Sequence, residues 1–106
     1  MTINISIGGS SSSYTLQNAV DYAWNKNALV FACAQNYSTD TPYYPAACNN
    51  AIAVSATTQS DTLASFSNYG NWIDLSAPGY YIYTTKNGGG YGYYSGTSFS
   101  SPIAAG

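Results

Sequence analysis

Short hydrophobic runs alternate with polar segments along this chain of 106 residues, and the runs have the lengths of β-strands. Residues 3–7 alternate apolar and polar side chains before a Gly-Gly pair, which predicts a short strand with one strongly buried face. Residues 28–34 and 51–57 are almost continuously apolar, as is typical of parallel strands covered on both faces. Residues 73–76 precede a Pro-Gly turn and complete a predicted set of about four mostly parallel strands.

A helical pattern lies between the first two predicted strands. From residue 16 to residue 26, apolar side chains recur at intervals of three and four, at Leu16, Ala19, Val20, Ala23 and Trp24. Ser13 or Thr15 can cap the start of this helix, and Asn27 can adopt the left-handed conformation that commonly ends one. A helix between two parallel strands predicts a right-handed crossover connection.

The last third of the chain predicts a hairpin followed by a second helix. Aromatic and β-branched residues flank a turn at residues 87–90, which favours a two-stranded hairpin. Packing within the hairpin explains its many tyrosines, with stacking on sugar rings or peptides as the alternative. The small-residue run at 96–102 predicts a helix with Ser98 and Pro102 in its first turn. Proline is tolerated there, because the N–H that it lacks would have had no intrahelical partner.

Ser98 therefore occupies a position suited to a nucleophile. N–H groups at a helix start are unpaired and the helix dipole is positive there, so negative charge developing on a substrate oxygen is stabilised. Gly96 has no side chain, which leaves room for a substrate to approach. The predicted fold is thus an α/β domain with one crossover helix, a C-terminal hairpin and a nucleophile-bearing helix.

Composition limits the classes of function. The chain is long enough for one domain, residues 1–106, with a modest core. Two lysines and four aspartates, without arginine, glutamate or histidine, give a net charge of −2 and no basic face for nucleic acid. The uncharged polar composition, rich in tyrosine, suits an extracellular protein. No signal peptide and no membrane-spanning segment are recognised, so no membrane partner is expected.

The two cysteines do not form a disulfide framework. Cys33 lies inside an apolar run, where a buried free thiol is favoured and a disulfide with Cys48 is the alternative.

Five segments in a fixed order carry more information than any one of them. They are INISIGG (3–9), ALVFACAQN (28–36), YYPAACNNAIAVSATT (43–58), ASFSNYGNWIDLSAPG (64–79) and GTSFSSPIAAG (96–106). Together they resemble the C-terminal half of the catalytic domain of subtilisin-like serine proteases, in the thermitase-like branch. The resemblance implies half of a three-layer α/β domain from a secreted enzyme, with Ser98 as nucleophile and Asn36 as the side-chain oxyanion donor. Without the resemblance, Asn36 is typical of a turn that ends a strand.

The resemblance also implies where a peptide substrate binds. Backbone groups of Ser6, Ile7 and Gly8 would pair with the extended substrate as an added strand, and Gly96 would lie beside it. From the residues alone, an ordinary core strand with a glycine turn is favoured at this place.

Two residues depart from the family pattern near the expected specificity pocket. Gln35 replaces a glycine before the asparagine, and Tyr43 stands where a small residue leaves the floor of the pocket open. Because both changes add bulk, we expect a narrowed or plugged specificity pocket.

A weak cation site is a further implication of the resemblance. The family has a cis peptide at the position of Tyr44-Pro45, followed by carbonyl groups that correspond here to Ala46, Cys48 and Ala51, with Asp74 nearby. One carboxylate is few for calcium, which prefers six to eight oxygens. We therefore expect no resident metal or cofactor, with weakly bound calcium or sodium as the alternative.

The chain contains no histidine, and this decides what we expect of it in isolation. A serine hydroxyl needs a base to take its proton and a third group to orient that base. In the resembled family both belong to the N-terminal half. Three interpretations remain: a protease half that is inactive alone and acts on peptides when complemented, a natural or engineered non-catalytic scaffold whose cleft is filled by Gln35, Tyr43 and Phe99, or a tyrosine-rich binding module.

The predicted first strand also suggests self-association. In the resembled domain its free side is flanked by a strand from the other half, so here the edge at Ile3, Ile5 and Ile7 lacks a neighbour. An unpaired edge beside apolar surface favours pairing with another chain. We expect a homodimer through this edge or through the uncovered sheet face.

Overall fold

A computed structural model describes all 106 residues as two small sheets and two helices. Four parallel strands form the main sheet in the order β1-β2-β3-β4. In chain order the elements are β1 (Thr2–Ile5), α1 (Tyr14–Asn25), β2 (Leu29–Cys33), β3 (Ala51–Thr57), β4 (Leu75–Pro78), β5 (Ile82–Thr85), β6 (Tyr91–Tyr94) and α2 (Thr97–Ala105). The predicted α/β class, the parallel sheet, the crossover helix, the hairpin and the final helix are confirmed.

The sheet lies between the two helices. On one face, Val20 of α1 packs with Val30 and Cys48. On the other face, Phe31, Val54 and Ala77 pack together with the end of α2. Adjacent residues of β2 thus point to opposite layers, which explains why its sequence is apolar throughout. β2 is an interior strand, as its continuous apolar run predicted. Neither helix combines the length and the apolar character that crossing a bilayer requires.

β1 is shorter and less buried than its sequence indicated. It ends at Ile5, so Ser6 and Ile7 lie beyond the strand. The expected strongly buried face is also wrong, since Ile3 is 38% and Ile7 76% exposed. The cause is the position of β1 at the edge of the sheet, where only β2 pairs with it.

β4 is displaced by two residues from its predicted position, because Ile73 still belongs to a turn in which its N–H bonds Gly70. The strand ends in Pro78, which an edge strand tolerates because its missing N–H is not required by a second neighbour.

The caps of α1 follow the sequence, but its buried stripe is narrower than predicted. The Ser13 hydroxyl accepts the N–H of Leu16 at 3.0 Å, and Asn27 has a φ of 60°. Val20 is buried, whereas Ala19 and Trp24 are exposed. α1 packs mainly against a single strand, β2, so the flanks of its apolar stripe remain uncovered.

The hairpin presents a row of tyrosines on its outer face. Tyr83 pairs with Tyr93 across the two strands, and their ring centroids lie 5.1 Å apart. Tyr91 stacks on Tyr83 at 5.6 Å, and Tyr81 meets Tyr93 edge-on at 6.4 Å. All four rings are more than half exposed. The tyrosines therefore pack on one another, as predicted, but outside the protein core.

Candidate active site

Ser98 lies in the first turn of α2, as predicted. Gly96 is the N-cap residue, and its N–H donates to the carbonyl of Gly79 at 2.7 Å. The Ser98 hydroxyl thus lies at the positive end of the helix dipole.

Gly79 permits this helix start to approach the sheet. A Cβ on Gly79 would overlap the Ser100 hydroxyl and come within 2.6 Å of the Ala56 side chain. Ser100 donates to the Pro78 carbonyl at 3.2 Å, which ties α2 to the end of β4. Nothing in the local pattern distinguished this glycine from an ordinary turn glycine, so the sequence analysis missed its role.

Pro102 lies in the second turn of α2, and its predicted place in the first turn is wrong. Its missing N–H therefore removes a helical hydrogen bond that the Ser98 carbonyl would accept. The Ser6 hydroxyl donates to that carbonyl instead, at 2.9 Å. Ser6 thus meets the candidate nucleophile through its side chain, in addition to the backbone role that the resemblance implied.

The carboxamide of Asn36 is oriented by Thr97, the residue before Ser98. Asn36 Oδ1 accepts hydrogen bonds from the N–H and from the hydroxyl of Thr97, both at 2.9 Å. With the oxygen held in this way, the Nδ2 donor faces the start of α2, where a Cβ on Gly96 would lie 3.5 Å from it. Thr97 is fully buried, and sequence reasoning missed it. Its place between Gly96 and Ser98 was the only signal available.

Gln35 stands where the resembled family has a glycine. Its φ of 78° is left-handed, a conformation that glycine adopts without strain. Its Nε2 donates to the Cys33 sulfur at 3.1 Å and would lie 2.7 Å from a Cβ on Gly8. The side chain therefore spans the gap between the Gly8 segment and the end of β2. Narrowing of a specificity pocket stays a prediction.

The other residues of the predicted substrate site surround this gap. Tyr43 stacks on Tyr37, the residue after Asn36, with ring centroids 5.1 Å apart. Gly8 and Ile7 are exposed, and Gly9 exchanges two backbone hydrogen bonds with Tyr44. Phe99 is half-buried and stacks on Tyr94 rather than on Gln35 or Tyr43.

Both cysteines are buried free thiols, as favoured for Cys33. Burial raises the pKa of the Cys33 thiol, and hydrogen bonds with Thr97 and Ser98 oppose this only in part. Burial also raises the pKa of Cys48, and the negative charge of Asp21 adds to the effect.

The loop that the resemblance linked to a weakly bound cation has the implied cis peptide but few oxygen atoms available as ligands. Tyr44-Pro45 is a cis peptide, and a cavity of about 340 Å³ is lined by Ala46, Cys48, Ala51 and Asp74 among others. The Cys48 carbonyl accepts the N–H of Ala51, and an Asp74 carboxylate oxygen accepts the N–H of Ala53 at 2.8 Å. No cluster of three or more His, Cys, Asp or Glu side chains exists. These groups do not fit a tightly bound calcium ion.

Ser98 at a helix start and the Asn36 carboxamide after β2 thus lie at the carboxyl end of a parallel sheet, as the resemblance to subtilisin-like proteases implied. The chain belongs to the subtilase family, whose sequence profile matches residues 1–106.

Several named relatives are similar over nearly the whole chain. Identity is 52% with a "Thermophilic serine proteinase" of Bacillus sp. (strain AK1), over 98% of this chain and 26% of that protein. It is 47% with "Thermitase" of Thermoactinomyces vulgaris, over 98% of this chain and 37% of the relative. It is 42% with "Subtilisin Savinase" of Lederbergia lenta, over 97% of this chain and 38% of the relative. The chain is thus similar to the thermitase-like branch.

Solved structures agree in fold. A protease of Pseudoalteromonas arctica superposes with a TM-score of 0.94 and 34% identity, over 99% of this chain and 36% of that one. A "cold adapted subtilisin-like serine proteinase" superposes with a TM-score of 0.91 and 38% identity, over 99% of this chain and 38% of that one. The chain spans about a quarter to two-fifths of the length of these relatives.

Proposed function

We propose that this chain is the nucleophile-bearing part of a serine endopeptidase that cleaves peptide bonds once a histidine and an aspartate are supplied by another segment. The observation that carries the proposal is the Asn36 carboxamide, which Thr97 holds by two hydrogen bonds beside the start of the Ser98 helix. This arrangement suits the binding of an oxyanion better than it suits a turn. The carboxamide oxygen already accepts hydrogen bonds from Thr97, whereas the Nδ2 group remains available to donate to a substrate oxygen.

In the proposed reaction, Ser98 Oγ attacks the carbonyl carbon of the scissile peptide bond, and its proton passes to the supplied histidine. The carbonyl oxygen becomes an oxyanion that accepts hydrogen bonds from Asn36 Nδ2 and from an N–H at the start of α2. Collapse of the tetrahedral intermediate expels the amine, which takes the proton from the histidine, and leaves an acyl group on Ser98. Water then releases the acyl group by the same steps.

The magnitudes explain why the chain alone is proposed to be inactive. In a subtilisin, removal of the side-chain oxyanion donor costs roughly 10²- to 10³-fold in turnover, and removal of the histidine about 10⁶-fold. No histidine occurs among the residues of this chain. Its nucleophile is therefore an ordinary hydroxyl at neutral pH.

An extracellular site of action completes this proposal. One relative, from Xanthomonas campestris, carries the name "Extracellular protease" and is 43% identical over 98% of this chain. The near absence of charged side chains is consistent with the same location.

Labelling with a fluorophosphonate probe tests the proposal, because the probe requires an activated serine. The comparison is between the chain alone and a complete domain, defined as residues 1–106 joined to the segments that supply histidine and aspartate, for example in place of the matching part of thermitase. We expect labelling of the complete domain, none of its Ser98→Ala variant, and no labelling or peptide turnover by the chain alone. Absence of Ser98-dependent labelling in a folded complete domain would favour the non-catalytic scaffold.

A second candidate function is binding through the outer face of the hairpin. The exposed stack of Tyr81, Tyr83, Tyr91 and Tyr93 supports it, because such rings stack on sugars or peptides. Glycan and peptide arrays would detect this activity, and a Tyr83→Ser variant should lose it. Equal array signals from both proteins would reject it.

A further inference from the structure

We propose that Asn68 is a positioning residue for the oxyanion donor, because it fixes the two peptide groups on either side of Asn36. This inference rests on the function proposed above. Asn68 lies in the segment between β3 and β4, far from Ser98 in sequence, and was not among the residues that the sequence pointed to.

Asn68 bonds the backbone both before and after Asn36. Its N–H donates to the Gln35 carbonyl at 3.0 Å, which belongs to the peptide group preceding the Asn36 Cα. Its side-chain Oδ1 accepts the N–H of Tyr37 at 2.8 Å, which belongs to the following peptide group, and the N–H of Thr39 at 3.3 Å. Peptide groups are planar, so holding these two fixes the rotations at Asn36 and the direction in which its side chain leaves the backbone.

Asn68 is itself anchored to the sheet. It is fully buried, and its carbonyl accepts the Ser67 hydroxyl at 3.0 Å. The Ser67 oxygen in turn accepts the N–H of Ala56 in β3, also at 3.0 Å. Asn68 thus connects the backbone around Asn36 to β3, an interior strand of the main sheet.

The Asn68 side chain uses only one of its two polar atoms. Oδ1 accepts two hydrogen bonds, whereas the buried Nδ2 has no protein acceptor within reach. The acceptor Oδ1 is therefore the atom that holds the backbone after Asn36.

Asn68 and Thr97 therefore divide the task of orienting the donor. Asn68 fixes the backbone of Asn36, and Thr97 fixes its side-chain oxygen. Only Nδ2 of Asn36 remains free to donate, toward the start of the helix that carries Ser98.

A double-mutant cycle in the complete domain tests this role. We expect Asn68→Leu to lower kcat by about tenfold to a hundredfold with little change in KM, because a misdirected donor weakens transition-state stabilisation but not substrate binding. In an Asn36→Ala background, the same substitution should leave kcat within about twofold, because no donor remains to be positioned. Equal losses in both backgrounds, a change confined to KM, or no loss at all would overturn the inference.

Val20→Ala is the stability control, since it perturbs a buried cluster on the face of the sheet that α1 covers, opposite the face that packs against α2. We expect it to lower stability and leave kcat unchanged. If Asn68→Leu does not fold, the shorter Asn68→Ser withdraws the acceptor from Tyr37 while keeping a polar atom, and the same dependence on background is expected. Loss of kcat in Val20→Ala matching that in the Asn68 variants would also reject the positioning role.

Amide hydrogen exchange separates failure of this inference from failure of the proposed function. If the folded complete domain shows no Ser98-dependent turnover, the proposed function fails, and the Asn68 geometry is still decided by exchange at Tyr37. Slow exchange in the original protein and faster exchange in Asn68→Ser support the clamp. Equal exchange in the two proteins overturns it.

Discussion

Ser6 and Ser98 hold each other by a reciprocal pair of hydrogen bonds. The Ser6 hydroxyl donates to the Ser98 carbonyl at 2.9 Å, and the Ser98 hydroxyl donates to the Ser6 carbonyl at 3.4 Å. The Ser6 hydroxyl oxygen also accepts a hydrogen bond from Nδ2 of Asn4 at 3.1 Å. Oδ1 of Asn4 accepts a hydrogen bond from the Ser101 hydroxyl at 2.6 Å. The end of β1 is thus joined to both turns of the nucleophile-bearing helix. Because Pro102 has no N–H, it cannot supply the helical hydrogen bond that the Ser98 carbonyl would otherwise accept.

Ser6→Ala should destabilise the folded protein by about 1 kcal/mol, since the partly buried Ser98 carbonyl loses its donor and water replaces it only in part. The free energy of unfolding in urea measures this change, with Ser11→Ala in the exposed loop as the control. In a Pro102→Ala background, a restored helical N–H can satisfy the carbonyl, so Ser6→Ala should cost less there. The same cost in both backgrounds would contradict the role given to Pro102.

Gln35→Gly should open the specificity pocket of the complete domain. Glycine relieves the left-handed backbone at this position and removes the side chain that spans the gap to Gly8. We expect kcat/KM for a peptide with phenylalanine before the scissile bond to rise by about tenfold or more relative to one with alanine. Gln59→Gly, at an exposed turn, serves as the control. An unchanged ratio of the two substrates would show that Gln35 does not restrict the pocket.

Stability should fall as the pH rises above the ordinary thiol range. The pKa values of Cys33 and Cys48 are raised in the folded protein, so the folded state keeps these protons where the unfolded state has lost them. Unfolding then releases protons, and the free energy of unfolding decreases from about pH 8.5 upward. A Cys33→Ala/Cys48→Ala variant should show a shallower decrease between about pH 8 and pH 10. Parallel curves for the two proteins would count against this linkage.

The isolated chain should self-associate through β1. This strand has only β2 as a neighbour, and Ile3 is 38% exposed on it. We expect light scattering to detect dimers at roughly 100 μM, well above the micromolar range of weak interfaces. Ile3→Lys should shift the protein toward monomer by placing a charge on the edge, whereas Leu63→Lys, at an exposed position outside the main sheet, should not. A monomer at this concentration would reject the dimer.

Features set by neighbouring residues could be predicted from the sequence. The strand at 51–57, the Ser13 cap, the left-handed Asn27 and the hairpin turn all depend on side-chain periodicity or on bonds within a few residues. The ordered motifs identified the family, because their order and spacing are read directly from the chain. They also indicated Ser98 and Asn36 as candidate site residues.

Only the tertiary structure decided how the site is held. Thr97 meets Asn36 across 61 residues, Asn68 meets Tyr37 across 31, and Ser6 meets Ser98 across 92. The exposure of Trp24 and Ile3 likewise follows from which layers cover them. Such contacts depend on sheet order and on the packing of α2 against the strand ends, which local periodicity does not encode. The sequence by itself determined the elements and the chemical groups of this protein, and the parallel sheet decided which of them touch.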